Sequence, residues 1–384
     1  RYPTVTGNAL YHTPGQYGDG AYIQDTVTAT VTGNEAWNNS STGIWIRAGQ
    51  ITASGNVVHN NGTGLYVEDN DSAVYGQVFG NEAYANATGI SSGAYEEIYD
   101  NNVHHNTTQG IWTDYNEWRI IRDNEIHHNV IGVLVQGGLI SHNRIYINSD
   151  KGMSLTYNDA TVERNAIYGN STGIYSNQYT GKASISNNLV YDNENFGVYL
   201  DSTGPYNTGA DVINNTVHQK VGTALYAGNS HTTRVYNNII WIEGGYGIDV
   251  PASWTAFYVG DYNDIHRGVV PTGKVGRWAG VEQAALAGWK AASAADSHSL
   301  SVNPQFLDID GADNLYGWEG LSSVDGGMDD NFHLKGGSPV IDTGYSDIAP
   351  DGDRDGQLRR NDLGTPNSGA GIFRYYDLGC YEFQ

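Results

Sequence analysis

Residues 42–69 read TGIWIRAGQITASGNVVHNNGTGLYVED. Ile44 and Ile46 alternate with Trp45 and Arg47, and Leu65 and Val67 alternate with Tyr66 and Glu68. That period of two belongs to strands with one buried and one outer face. The S-G-N and N-N-G clusters between the runs are turn chemistry. A helical reading fails, because Asn, Gly, Thr and β-branched residues are poor helix formers and no 3.6-residue stripe persists.

The phrase recurs down the chain. Gly20, Gly43, Gly64, Gly89, Gly110, Gly132, Gly152, Gly173, Gly197, Gly222 and Gly247 follow one another at intervals of 20 to 25 residues. A period in the low twenties is one solenoid coil, too short for a helical repeat or a propeller blade. TGIWIRA with SGNVVHNN, and TGLYVED with FGNEAYAN, put two short β runs in each coil. Asparagines form two further columns. One runs Asn34, Asn56, Asn81, Asn101, Asn124, Asn143, Asn165, Asn187, Asn214, and the other Asn39, Asn61, Asn86, Asn106, Asn129, Asn148, Asn170, Asn193. Asn tolerates left-handed backbone and its amide can bond the equivalent amide one coil away, so both columns belong at stacked corners. In motifs such as Asn61-Gly62-Thr63, turn chemistry is expected rather than glycosylation.

This coil, x-N-x-[IV]-x-x-N…GI over about residues 19–265, resembles the repeats of secreted bacterial carbohydrate-active proteins of the pectate-lyase-like superfamily. LAGWKAASAADSHSLSVNPQFLD, FHLKGGSPVIDTG and DLGCYEF are similar to the usual C-terminal end of such proteins. The resemblance implies an all-β, single-stranded right-handed parallel β-helix of about eleven coils over residues 1–265. Residues 266–384 would form a C-terminal capping region with one short α-helix. The signature YGFDPHD of mannuronan epimerases is missing, as are the lysine motifs associated with β-helical pectate lyases.

Composition narrows the partners. The chain has 384 residues, 42 acidic against 19 basic side chains and a formal charge of -23. Nucleic acid and anionic membranes are excluded as partners by that charge, and an acidic polysaccharide would need bridging Ca²⁺. No stretch approaches a membrane span. Cys380 is the single cysteine, so no intrachain disulfide forms, and it is expected to be a small buried hydrophobe in a strand. The chain starts at Arg1 without Met or a signal peptide, which reads as a processed, secreted, extracellular protein and a monomer.

The site follows from register. Positions +1 and +3 after each glycine are apolar and point inward, so +2 and +4 face out. The +2 column reads Tyr22, Trp45, Tyr66, Ser91, Trp112, Leu134, Ser154, Tyr175 and Tyr199; the +4 column reads Gln24, Arg47, Glu68, Gly93, Asp114, Gln136, Thr156, Asn177 and Asp201. Aromatics beside polar groups suit a polysaccharide or oligosaccharide, with Asp69, Tyr175, Asn177, Tyr199 and Asp201 among its contacts. The column His59, Tyr84, His104, His127, Tyr146, Tyr168, Tyr191 is expected to be a self-stabilising aromatic ladder. The pairs His104-His105 and His127-His128 should point to opposite sides of their strands, which disfavours a shared metal ion.

Glu68 and Asp114 stand two coils apart with Gly93 between them, so their backbones are roughly 9–10 Å apart. That approaches the ~6.5–9.5 Å carboxyl separation of an inverting glycosidase. Arg47 would keep Glu68 ionised as base, and Trp112 with Trp118 would favour Asp114 as acid. The stretches at 68–71 and 114–117, with Glu96 and Glu97, would wall a subsite. The expected activity is a glycoside hydrolase. The alternatives are a polysaccharide lyase using Lys151, Arg119 or Arg122, and a non-catalytic glycan-binding or adhesin module. Near the C-terminus, Asp351, Asp353 and Asp355 with Gly356 open a loop of the calcium-binding type, a structural Ca²⁺ site, and Asp308–Asp313 is a weaker one. An amphipathic helix is expected over 281–294, covering the edge of the last coils.

Overall fold

The computed structural model describes residues 2–15, 18–69, 75–93, 95–114, 119–268, 272–319 and 324–384. The chain folds into two compact units, residues 1–161 and 162–384. About eleven parallel turns are made, as the repeat predicts.

In residues 1–161 each turn carries three strands rather than two, and seven such triplets among the described residues stack into three parallel sheets. The run ITASGNVVH supplies two of them, Ile51–Ser54 and Val57–His59, because Gly55-Asn56 turns a corner between them. The third sheet contains Thr42–Ala48, Thr63–Asp69, Thr88–Ser92, Gln109–Thr113, Ile131–Val135 and Lys151–Leu155. Its pairing is in register, Ile44 on Leu65 on Ile90 on Ile111 on Val133 on Met153. All six are fully buried, so the inward positions form the core as the alternation requires.

Buried amides clamp the corners. Asn61 donates its backbone N–H and its Nδ2 to Oδ1 of Asn86, each at 3.0 Å, and Asn86 does the same to Asn106 at 3.0 and 3.1 Å. Each Nδ2 also reaches a strand carbonyl of the preceding turn, as Asn86 reaches Val58. These asparagines do not adopt the left-handed backbone themselves. The residue before each one does: Asn38, Gly55, Asn60, Ala85, Asp100, His105, Asp123, His128 and Ile147 all have positive φ. The recurrent glycines exist because of the ladder. A β-carbon at Gly64 would lie 2.6 Å from the Gly89 carbonyl oxygen and 2.8 Å from Asn86 Nδ2.

Ile147 is the costliest of the corner residues, since a β-branched side chain at φ 52° crowds its own backbone. Ile147→Asn is expected to stabilise the fold by about 1 kcal/mol, because left-handed backbone penalises most L-residues by roughly 1–2 kcal/mol and asparagine least. A urea titration of the two proteins checks the sign.

Residues 162–384 hold the same three-strand plan, with third-sheet strands Thr172–Ser176, Phe196–Leu200, Thr223–Ala227, Tyr246–Val250 and Lys274–Trp278. Two columns need correction. The glycine column passes through Ala224, which pairs between Gly197 and Gly247, while Gly222 lies in the preceding turn at φ 78°. The first asparagine ladder runs Asn165, Asn188, Asn215, Asn238, Asn263 and not through Asn187 and Asn214. In each Asn-Asn pair the first residue is the left-handed corner. These corners bind the C-terminal segment: Asn187 Nδ2 donates to the Gly352 carbonyl, Asn214 to Asp377, Asn237 to Tyr345.

The expected helix over 281–294 is shorter, Leu286–Ser293. Val281–Gln283 is instead a strand antiparallel to Lys274–Trp278, so a strand covers that edge and meets the need assigned to the helix. Trp289 from the helix fills the end of the core, its ring against Gly276 and its Nε1–H donated to Asp296 at 2.8 Å. Asp296 and Ser299 also take the terminal Asn263 of the ladder. Cys380 is buried as expected, though in a bend rather than a strand; burial pushes its thiol up to about 11.

Candidate functional site

The outer face of the third sheet in residues 1–161 carries the expected side chains. Tyr22 is 57 % exposed and Trp45, Tyr66 and Trp112 are half-buried. Their mutual geometry changes what they can do. Tyr22 lies on Trp45 at 4.4 Å between ring centroids and Trp45 on Tyr66 at 5.3 Å, nearly parallel in both cases. Rings stacked on one another present edges outward, so the column is not the continuous sugar platform that the alternation suggested. Trp112 differs, because its column neighbours are Ser91 and Leu134 rather than rings. At the other end, Tyr22 borders an open cleft of about 500 Å³ lined by Tyr2, Pro3, Ile23, Gln24 and Thr26.

Glu68 and Asp114 both reach solvent, with side chains 25 % and 37 % exposed. The register Val67 on Ser92 on Thr113 places Glu68, Gly93 and Asp114 in one file. Gly93 is not an open notch. A β-carbon there would lie 3.0 Å from Glu68 Cγ and 3.1 Å from the Tyr66 hydroxyl, so Glu68 leans across it towards the Asp114 turn. Tyr66 donates its hydroxyl to Glu68 Oε2 at 3.1 Å. Burial raises the Tyr66 pKa well above the usual range, followed by the charge and hydrogen bond of Glu68 and then the charge of Asp114.

Charge partners are where sequence reasoning fell short. Arg47 meets Glu68 at 3.4 Å as expected. Asp114 faces a guanidinium rather than an apolar wall: Arg119 Nη2 donates to Asp114 Oδ1 at 2.7 Å and Nη1 to its carbonyl at 2.8 Å. Arg119 is buried, with Nε on Ser92 Oγ at 2.8 Å and 3.7 Å from Glu96 Oε2. Glu96 is buried too, and accepts the Asp69 backbone N–H at 2.7 Å. Asp69 is fully buried, so it is not a surface contact for a glycan. Glu97 stands on the first sheet paired with Arg122 at 2.6 Å. Neither Glu96 nor Glu97 therefore walls the third-sheet face. Trp118, Asp71 and Glu117 lie outside the described residues. The basic residues considered for a lyase are engaged: Arg119 as above, Arg122 with Glu97 and Asp123, Lys151 with Asp150 at 2.6 Å.

In residues 162–384 the same file holds Tyr175, Tyr199 and Tyr226, stacked at 5.6 and 4.4 Å, then Asp249 and Arg277 as an ion pair. Burial and then the Asp201 charge push the Tyr199 hydroxyl up to about 12, and burial also raises the Asp201 carboxyl. Asn177 is exposed beside them. Tyr226 stands two past Ala224, where a count from Gly222 misses it, and Asp249 and Arg277 lie on the next two turns, beyond the last position read from the sequence. They line a shallow cleft of about 270 Å³.

The calcium reading fails on geometry. Asp353 is buried and its two oxygens accept the backbone N–H groups of Gln357 at 2.8 Å and Glu382 at 3.1 Å. Asp355 pairs with His333 at 2.7 Å, and Asp351 is exposed. The three carboxylates do not converge. Among the described residues the cluster of metal-ligand spacing is His105, His127 and His128.

Comparison with known proteins fits the architecture. A family model described as "Right handed beta helix region" matches residues 120–261, and one described as "Periplasmic copper-binding protein (NosD)" matches residues 3–149. The chain is a right-handed β-helix protein. Two solved structures resemble it. Pectate lyase Pel9A is 14 % identical, with 93 % of this chain and 88 % of that one covered and a TM-score of 0.46. The complex of XylC with xylose is 12 % identical, with 99 % and 66 % covered and a TM-score of 0.41. No curated protein matches this β-helix. None of its described helices is long and apolar enough to cross a membrane.

Proposed function

We propose that this β-helix is a glycan-active protein working outside the cytoplasm, a glycoside hydrolase whose carboxylate pair is Glu68 and Asp114. The observation that carries this reading is their shared file: two solvent-reaching carboxylates two turns apart, with only a glycine between them. Two inter-strand steps of about 4.8 Å, shortened by the lean of Glu68, suit inversion with water between the carboxyls. We assign the two roles the other way round from the sequence expectation, because the Arg119 contact with Asp114 is the shorter of the two ion pairs. Asp114, held by buried Arg119, serves as the base that orients water. Glu68, with the looser Arg47 contact and the Tyr66 hydroxyl, delivers the proton to the leaving oxygen. Trp112 offers a ring face, and the cleft beside Tyr22 takes a distal sugar. The family description naming a periplasmic protein over residues 3–149 supports the location.

A neutral-polysaccharide panel assayed for new reducing ends tests this. Glu68→Gln and Asp114→Asn are each expected to lower kcat by roughly 10²–10⁴-fold, the usual worth of a positioned acid or base. Full activity in both variants rejects the pair. The Arg119–Asp114 pair also favours a second reading, a glycan-binding module. It predicts retained binding with no turnover by the unaltered chain.

A further inference from the structure

The corner between the second and third sheets carries two consecutive histidine pairs, one above the other. The expectation that neighbours diverge is overturned by the backbone: His105 and His128 both lie at φ 55°, which folds each ring back beside its predecessor. His104 Nδ1 is 2.9 Å from His105 Nδ1, and His127 Nδ1 is 2.7 Å from His128 Nδ1. The rings also stack between turns, His104 on His127 at 5.0 Å and His105 on His128 at 4.6 Å. Four imidazoles thus stand at the corners of a small rectangle.

We propose that His104, His105, His127 and His128 form a binding site for a divalent transition-metal ion of the zinc and copper class, ligated through ring nitrogens. Imidazole suits these ions, whereas Ca²⁺ and Mg²⁺ take oxygen ligands. One ligand nitrogen each from His105, His127 and His128 lies within 4.8 Å of the others, and the closest pair is 2.7 Å apart. Bonds of about 2.0–2.1 Å to a tetrahedral ion place nitrogens about 3.3 Å apart, inside that span, so small ring rotations close the site.

The surroundings prepare the rings. His104 Nε2 lies 3.3 Å from Glu82 Oε1. A proton on that nitrogen, donated to the carboxylate, leaves Nδ1 as the lone-pair side facing His105, the arrangement by which carboxylates orient ligating histidines. The unmetallated Nδ1–H···Nδ1 contacts convert to ligation when each shared proton moves to the Nε2 of its own ring. No net proton is released. The file Tyr84, His104, His127, Tyr146, stacked at 5.2, 5.0 and 4.8 Å, holds one side of the rectangle rigid.

The test uses the full chain freed of metal, titrated calorimetrically with Zn²⁺ and separately followed by electron paramagnetic resonance with Cu²⁺. The expected result is one saturable equivalent and a copper spectrum split by several nitrogens. His105→Asn with His128→Asn keeps residues that accept left-handed backbone, and should weaken binding by at least ~10²-fold, with circular dichroism unchanged. His59→Ala, on the same face, should bind as the parent does. Loss of binding in His59→Ala, undiminished binding in the double variant, or no saturable equivalent in the parent overturns the proposal.

Discussion

Asn86→Ala is expected to lower the stability of residues 1–161 by about 3–5 kcal/mol, since each buried group left without its partner costs about 1–3 kcal/mol. Asn86 Oδ1 accepts both the backbone N–H and the amide of Asn61, and its Nδ2 donates to the Val58 carbonyl and to Asn106. Alanine strands the Asn61 N–H and the Val58 oxygen in the interior, both on the preceding turn. Asn86→Asp is the sharper comparison, because it keeps the shape and the acceptor while replacing the amide donors with charge. It should also destabilise. Urea unfolding followed by far-ultraviolet circular dichroism measures both, and a loss below ~1 kcal/mol for Asn86→Ala would mean that water replaces the ladder without penalty.

The second large effect concerns Arg119. Arg119→Leu should cost about 3–5 kcal/mol, the range seen when one partner of a buried ion pair is removed. The guanidinium touches Ser92, the Asp114 carbonyl and carboxylate, and stands 3.7 Å from buried Glu96. Without it, Glu96 keeps its hydrogen bonds from Ser92 and the Asp69 amide but loses its counter-charge. Glu96→Leu added to Arg119→Leu should recover most of the loss, because an apolar pair of that volume removes the desolvation problem. The same double variant frees Asp114, so stability returning without turnover would separate the fold's need for Arg119 from the site's.

The strands, the inward file and both amide ladders were legible because each imposes a strict residue type at a strict interval. Errors arose where two residues satisfy one pattern. Asn187 and Asn188 are equally good ladder members by sequence, and they part only in the fold, where Asn187 takes the left-handed corner and the tail contact while Asn188 carries the ladder. Ala224 fills a place that elsewhere requires glycine, so a count that looked for glycine slipped by two. Site errors have another origin. Asp69 and Glu96 stand at inward positions of their strands, in step with Val67 and Ile98, and a buried polar network with Arg119 admits them where the pattern leads one to expect apolar residues. His105 and His128 leave the alternation altogether through positive φ. That departure has no compositional signature.

Because the left-handed corner is a demand on the backbone, its side chain is nearly free to vary: glycine, asparagine, aspartate, histidine, alanine, arginine, isoleucine and tyrosine all occupy it in this chain. In residues 1–161 each turn therefore presents, at or near the surface, a position where new chemistry can be installed without disturbing the amide that follows it. A scaffold with such sockets can acquire or lose a ligand set by single substitutions, at a strain of roughly 1–2 kcal/mol apiece.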